Sequence, residues 1–175
     1  MIKNNFETNQ KTLSLFPIAD KKIELSYTGE QISSDGGLLL LREVEKQTSL
    51  IDGISSCITD TRDSRYVDHS VTELITQRVF QIAAGYEDCN DCNDLRGDMI
   101  FKTCAGRLPQ TGSDLASQPT MSRLENAIGP RDLIRMGKYL LDSFVSSYTS
   151  APGVIVIDCD DTNNDTYGGQ QLTVV

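Results

Sequence analysis

The feature that most constrains this chain is an abrupt change of pattern about 150 residues from its start. Up to that point, apolar residues recur at the three-and-four spacing of amphipathic helices, and no internal repeat is visible. Residues 154–157 then read Val-Ile-Val-Ile, a run of β-formers that passes directly into the acidic segment 158–161. The pattern predicts a mainly helical region followed by the first strands of an α/β domain, with a boundary at the helix-breaking residues 149–153.

The periodicity divides the chain into a polar N-terminal tail (1–20), a helical region (21–150) and the start of a second domain (151–175). The cap signals are clearest at Ser70 and Glu73, which form a capping box before a long apolar stripe. The first predicted elements are a strand over 21–28, a helix carrying Leu38 to Val44 and capped from Ser33 to Asp35, and a loop with one short element over 51–68. A long helix from Val71 to Tyr86, a helical piece over 99–104 and a short helix over 119–128 follow. The last elements are a long amphipathic helix carrying Leu133 to Tyr148 and strands over 154–160 and 172–175.

Composition bounds the compartment and the partners. The formal net charge is −9, which argues for solubility and against a simple polyanion-binding protein. No apolar run is long enough to cross a membrane, and the polar N-terminus lacks the apolar core of a signal peptide. We therefore expect a cytoplasmic protein.

The cysteines raise a metal hypothesis that the spacing does not favour. Cys89 and Cys92 form a Cys-x-x-Cys pair, with Cys57 and Cys104 as further candidate zinc ligands. No second pair exists, and the single histidine, His69, lies far away in sequence and is better placed at a helix start. We favour incidental thiols.

The acidic segment at the end of the predicted strand is suited to a metal. Residues two apart share one face of a strand, so Asp158 and Asp160 lie together while Asp161 points to the opposite side. Mg²⁺ and similar hard cations prefer carboxylate oxygens. The alternative is an acidic loop whose carboxylates cap turns and stay solvated.

Several motifs, in this order and spacing, resemble DDE transposases of the insertion-sequence group called IS-thirteen-eighty, which is related to the piggyBac elements. The resemblance extends over most of the chain. The motifs are Ser34-Asp-Gly-Gly-Leu-Leu-Leu-Leu-Arg42, Asp68-His-Ser-Val71, Ile82-Ala-Ala-Gly-Tyr-Glu-Asp88, Asp94-Leu-Arg-Gly-Asp98, Leu115-Ala-Ser-Gln-Pro-Thr-Met-Ser-Arg-Leu-Glu-Asn126, Ile157-Asp-Cys-Asp-Asp-Thr162 and Gly168-Gly-Gln-Gln171.

The resemblance implies a ribonuclease-H-like catalytic domain that begins at residue 151. It assigns the first of three catalytic carboxylates to Asp160, with Asp158 as the alternative. It also implies Mg²⁺ or Mn²⁺ as cofactor, two-metal phosphoryl transfer, terminal inverted repeats and target DNA as partners, and a homo-oligomer at full length. The other two carboxylates are expected downstream, so we expect an N-terminal fragment without strand-transfer activity.

Two segments are candidates for binding DNA. One is the basic loop Thr61-Arg-Asp-Ser-Arg65. The other resembles a helix-turn-helix, with a small-residue turn near Ser117 leading into a helix whose first turn is polar. In the alternative interpretation, these residues only cap the helix and its arginine is a solvated surface charge. The candidate DNA-contacting residues are Arg62, Arg65, Thr120, Ser122 and Arg123.

Two other function classes stay open. A non-catalytic fragment could bind DNA or inhibit the full enzyme by occupying its sites or its dimer surface. A metal-dependent phosphohydrolase also uses an acidic strand end, but its Asp-x-Asp normally follows the first core strand. Here the motif follows about 150 helical residues, which disfavours that class.

Overall fold

The structure is a computed structural model that describes residues 13–25 and 35–159. The expectations for the caps at Ser33 and Ser34, for Asp160, Asp161 and for the strand over 172–175 lie outside the described residues. The elements are β1 (Leu13–Ile18), β2 (Lys21–Leu25), α1 (Leu38–Thr48), α2 (Leu50–Ser56), α3 (Val71–Ala83), α4 (Cys92–Leu95), α5 (Met99–Cys104), α6 (Gln118–Ala127) and α7 (Pro130–Ser146), with short 3-10 turns at Ser64–Tyr66 and Cys89–Asp91.

A β-hairpin occupies part of the segment that we predicted to be a loose tail, so that prediction is wrong for Leu13–Ile18. β1 pairs antiparallel with β2, and Leu15 lies opposite Ile23. Ala19 and Asp20 both have positive φ and close a two-residue turn, a conformation that neither residue strongly signals. The predicted strand at Lys21 is confirmed through Leu25.

The hairpin is attached to α1 by two consecutive residues of the predicted helix. Arg42, which is only 1% exposed, donates from Nη1 to the Phe16 carbonyl at 3.0 Å. Glu43 accepts from the Phe16 amide at 2.9 Å and pairs with Arg42 at 3.0 Å. Because both backbone groups of Phe16 are bound, the Arg42-Glu43 pair fixes the position of β1. The helix itself begins after Gly37, and within the described residues no side chain caps it.

The central helix α3 matches its sequence prediction closely. The Ser70–Glu73 capping box is present, and Gly85 closes the helix end with φ +89° while the Tyr86 amide bonds to the Gln81 carbonyl at 2.9 Å. α3 packs against α2, α5 and α6, which places it at the centre of the core. The largest fully buried apolar side chains are those of Leu74, Phe80, Cys92, Phe101 and Met121.

The segment after α1 was predicted as a loop with one short element over 51–68, and Leu50–Ser56 forms the short helix α2. The apolar pattern of α2 is short and is interrupted by Gly53. The helix is held in place by the burial of Ile51, which is 4% exposed. A side chain at Gly53 would overlap the Tyr139 ring of α7, so the glycine lets α7 approach α2.

The long helix α7 begins where the sequence indicated, with Pro130 in its first turn. It packs on α2 and the following loop through its polar side, where Arg135 donates to the Cys57 carbonyl at 2.8 Å and Asp132 accepts from the Thr59 amide at 3.3 Å. Its apolar side, which the sequence pattern placed on one face of the helix, is exposed.

The predicted strand at residue 154 is not formed in residues 154–159 of the described chain, which are irregular and exposed. A strand is stabilised by hydrogen bonds to a neighbouring strand, and no described segment pairs with this one. The expectation of a strand is therefore wrong for these residues in this structure. Within residues 13–25 and 35–159, no helix is long and apolar enough to span a membrane.

Candidate nucleic-acid interface

Three of the five candidate DNA-contacting residues meet at one cavity. Arg62 from the loop after α2 and both Thr120 and Arg123 from α6 line a cleft of about 340 Å³. Its walls are mostly apolar, built from residues such as Val71 and Leu124. We call this cavity with its polar rim the α6 cleft. The fold thus joins two segments that sequence reasoning treated separately.

Arg62 is held by its own loop. Its Nε and Nη2 donate to the Asp60 carboxylate at 2.8 and 2.7 Å, and its Nη1 donates to the His69 carbonyl at 3.0 Å. The hydrogen bonds from Arg62 lower the pKa of Asp60 below its usual value, so the carboxylate stays charged and offsets the arginine. Arg62 therefore presents less free positive charge to the cleft than the sequence suggests.

Arg65 lies outside the α6 cleft and repeats the same local pattern. It pairs with Asp63 at 2.6 Å and lies over the Tyr66 ring, with 5.6 Å between the guanidinium carbon and the ring centroid. The spacing Asp-x-Arg occurs at both 60/62 and 63/65, and short-range side-chain bonds of this kind could have been anticipated. Sequence reasoning missed both aspartates.

Arg123 is the candidate with the most available charge. It is exposed and donates to Thr120 Oγ1 at 3.3 Å, and no ion pair involves it within residues 13–25 and 35–159. Met121 and Leu124 on the same helix are buried, which orients α6 with Arg123 facing outward. Ser122 is not part of the cleft lining; its carbonyl and hydroxyl accept from Asn126 at 2.8 and 3.3 Å.

The segment before α6 is not the turn of a helix-turn-helix. The preceding helix α5 ends at Cys104, and residues 105–117 separate it from α6. Leu115 and Ala116 in this stretch are buried, and the Leu115 amide donates to the Arg96 carbonyl at 2.9 Å. The small-residue pattern that suggested a tight turn instead reflects close packing into the core. Ser117 precedes α6, but in the described part of the chain its hydroxyl makes no capping bond to a backbone amide.

His69 belongs to a polar cluster beside the start of α3. Arg107 pairs with Glu73 at 2.8 Å, and its Nη2 lies 3.1 Å from His69 Nδ1. Partial burial, followed by the charge of Arg107, lowers the pKa of His69 from its usual value of 6.5. The neutral imidazole is therefore the form that fits the fold, in keeping with a structural position at the helix start.

This shift gives a pH prediction. Because the pKa of His69 is lower in the folded state than in the unfolded state, the neutral ring makes its full contribution to stability above about pH 6.5. That contribution is lost as the pH falls through the folded-state pKa. We expect the free energy of unfolding to decline less between pH 7 and pH 5 in His69→Gln than in wild type. Urea titrations followed by circular dichroism at each pH measure this. The chain contains one histidine, so equal declines would contradict the assignment.

Cys89, Cys92 and Cys104 lie in packed surroundings that raise the pKa of each thiol and so favour its protonated form. Burial raises the pKa of the Cys89 thiol to about 11 and that of Cys104 to about 12. Cys92 is fully buried, with its sulfur 3.2 Å from Gln81 Oε1. Across the described ranges, no group of three or more His, Cys, Asp or Glu residues is arranged to hold a metal ion. Asp158 is exposed, and Asp160 lies outside those ranges.

Comparison with models of known protein families identifies the family of this chain. A family model described as "Transposase DDE domain group 1" matches residues 16–175, which is nearly the whole chain. The chain belongs to this transposase family. The match includes most of the hairpin, helices α1 to α7 of the described residues and the acidic segment, so the helical body of the transposase is part of the family's shared sequence rather than an unrelated attachment. Searches of curated proteins and of solved structures give no significant match.

Membership in the family supports a role in transposition, and transposases of this class act on DNA and generally use divalent metal ions. The helical body of this transposase carries the α6 cleft, and the acidic segment follows it in the chain. The described residues of the transposase include no complete metal cluster.

Proposed function

We propose that this chain is the N-terminal part of a transposase of the IS-thirteen-eighty group, related to piggyBac, and that it contacts the terminal inverted repeats of its element. The observation that carries the proposal is the family match over residues 16–175, which covers both the α6 cleft and the acidic segment. We further propose that the enzyme acts as a homo-oligomer at full length. The proposed catalytic domain is ribonuclease-H-like and begins at residue 151.

The chemistry is proposed to depend on Asp160, with Asp158 as the alternative. Their carboxylates are the ligand type that Mg²⁺ and Mn²⁺ prefer, so the donor chemistry fits the ions that the family uses. Bound ions would activate the attacking oxygen and stabilise the leaving oxygen in phosphoryl transfer. An Asp at this position supplies negative charge that an Asn of the same shape lacks.

Activity of the 175-residue chain on its own is not expected. The mechanism uses three carboxylates, and the resemblance assigns only the first of them to residues 1–175. The chain would then bind DNA without joining it. The second candidate function is that of a non-catalytic fragment that competes with the full enzyme for its DNA. The assignment of only one catalytic carboxylate to this chain favours that function as well.

DNA contact at the α6 cleft is supported by charge as well as position. Arg62 and Arg65 are each paired with an aspartate two residues away, whereas Arg123 has no such partner among the described residues. A chain of net charge −9 repels phosphates at long range, so binding must depend on local positive groups. Arg123, beside the Thr120 hydroxyl, is the strongest such group at the cleft.

Replacing Arg123 tests this proposal. We expect Arg123→Ala to weaken binding to element-end DNA by about tenfold, corresponding to roughly 1 to 1.5 kcal/mol, because one phosphate or base contact is lost. A phosphate contact would also make the salt dependence shallower, while a base contact would remove the preference for the end sequence. Gel-shift titrations at two salt concentrations distinguish these two results.

Arg131→Ala is the matched control for that experiment. Arg131 is exposed in the first turn of α7, has no ion pair within the described ranges and does not line the α6 cleft. Its replacement removes the same charge from another helix. Equal effects of the two variants would show that only net charge matters, and the assignment of the cleft would fail.

A further inference from the structure

The exposed side of α7 is the largest feature that the proposed function leaves unexplained. The helix contacts α2 and its following loop through Asp132, Arg135 and Tyr139, on its polar side. The opposite side is apolar and open: Ile134 is 72% exposed and Leu141 is 61% exposed. We call this side the α7 apolar face; it comprises Leu133, Ile134, Leu140, Leu141, Phe144, Val145 and Tyr148.

The α7 apolar face is a continuous stripe with a gap at its centre line. At 100° per residue, its members from Leu133 to Val145 fall within one side of the helix and Gly137 lies among them, while Tyr148, past the helix end, contacts the Phe144 ring. A Cβ at Gly137 would meet nothing within 4 Å, so nothing in the described chain requires the glycine there. Glycine within a helix is destabilising, and an isolated one commonly has a packing reason. Here it leaves a notch that can receive a large side chain.

The charges beside the stripe indicate what can cover it. Lys138 and Asp142 lie on one border of the α7 apolar face and pair with each other along the helix. Their side chains are 71% and 59% exposed, so they are free to exchange partners. An antiparallel copy of α7 would bring Lys138 of one helix beside Asp142 of the partner subunit, and the reverse. In a parallel two-fold copy this border of each helix would lie on opposite sides of the contact, so Lys138 and Asp142 would not meet the same pair of the partner subunit.

We propose that the α7 apolar face is a self-association surface, on which α7 of a second copy packs antiparallel about a two-fold axis between Leu140 and Leu141. In a two-fold interface each contact occurs twice, with the residues exchanged. This register places Phe144 of the partner subunit at the Gly137 notch and aligns the two apolar stripes from Leu133 to Tyr148. Notch, stripe and border charges all fit the one register.

A second copy explains the α7 apolar face better than the exposed apolar residues 154–157 of the same chain. Those residues have the pattern of a strand, which would satisfy its backbone by pairing with other strands, and in the structure they are irregular and exposed. Packing of a strand on the α7 apolar face would give no reason for a central notch or for border charges of alternating sign. Association through α7 does not depend on whether the chain binds DNA.

The expected dimer is weak. A helix of 17 residues is about 25 Å long, and one pair of such helices buries less than the roughly 800 Å² per partner of a standard interface. The molar mass of the full chain should therefore rise from monomer to dimer across the micromolar range. Sedimentation velocity and light scattering after gel filtration measure that change.

Matched variants assign the dimer to this surface. Leu141→Glu places two unpaired charges at the axis, and we expect dimerisation to weaken by about 100-fold or more. Ser146→Glu adds the same charge to the opposite side of α7 and should leave the dimer intact. Gly137→Leu fills the notch and should also weaken the dimer while increasing helicity, which separates interface loss from unfolding.

A charge exchange tests the antiparallel register. Lys138→Asp alone and Asp142→Lys alone should each weaken association severalfold, and the double variant should restore it. A monomer at all concentrations would overturn the proposal, as would equal weakening by Leu141→Glu and Ser146→Glu. Failure of the double variant to recover would overturn the antiparallel register.

Discussion

Replacing Asp160 with Asn in a full-length relative is expected to abolish strand transfer while DNA binding is retained. The substitution keeps the shape of the side chain and removes the charge that would position the metal ions. The expected loss is about 4 kcal/mol or more in transition-state stabilisation, roughly a thousand-fold in rate. Strand transfer from a pre-cleaved end duplex measures the rate, and a gel shift on the same duplex measures binding.

The neighbouring aspartate supplies the control for this experiment. Asp158→Asn removes the same charge two residues earlier, and we expect it to retain much more activity than Asp160→Asn. Loss of activity in Asp158→Asn with retention in Asp160→Asn would transfer the catalytic role to Asp158. Activity in both variants would contradict a catalytic role for this acidic segment.

The largest expected effect on stability comes from Gln77. This side chain is 2% exposed and binds both backbone groups of Ala116, accepting from its amide at 2.9 Å and donating to its carbonyl at 3.0 Å. Gln77→Ala leaves two buried backbone groups without partners, each costing about 1 to 3 kcal/mol. We expect the free energy of unfolding to fall by about 2 to 4 kcal/mol in urea titrations.

Gln47→Ala controls for the loss of a glutamine from a helix. Gln47 is exposed on α1, so its replacement should change stability by less than about 0.5 kcal/mol. A loss below about 1 kcal/mol in Gln77→Ala would mean that water or a local shift satisfies Ala116. Because Gln77 joins α3 to the segment before α6, its loss should also weaken DNA binding if the α6 cleft is the site.

The sequence predicted elements best where a cap and a period agreed. Ser70 and Glu73 marked the start of α3, and the period of α7 marked its length. Periodicity identifies which side of a helix is apolar but not what covers it, so the exposure of Leu141 and Ile134 could not be foreseen. The hairpin was missed because its turn, Ala19-Asp20, uses positive φ without glycine or asparagine.

At the candidate interface, too, the sequence predicted the residue types but not their arrangement in space. Residue types were enough to select Arg62 and Arg123, because charge and helix position are readable directly. Their convergence on one cleft depends on tertiary packing of α6 beside the loop that follows α2. Partners that reduce available charge, such as Asp60, were two residues away and could have been recognised. The acidic residue Asp160 was assigned by resemblance, since the local pattern alone did not exclude an ordinary acidic loop and gave no preference for a metal site over it.

The most direct test of the account is a binding titration of the chain against a labelled duplex carrying the inverted repeat that flanks its coding sequence. A shuffled duplex of equal composition is the reference, with Mg²⁺ present and two salt concentrations. The account predicts binding that weakens with salt, prefers the repeat by about tenfold or more, and yields no joined DNA. Equal affinity for both duplexes, or no binding at low salt, would contradict recognition of element ends by this chain.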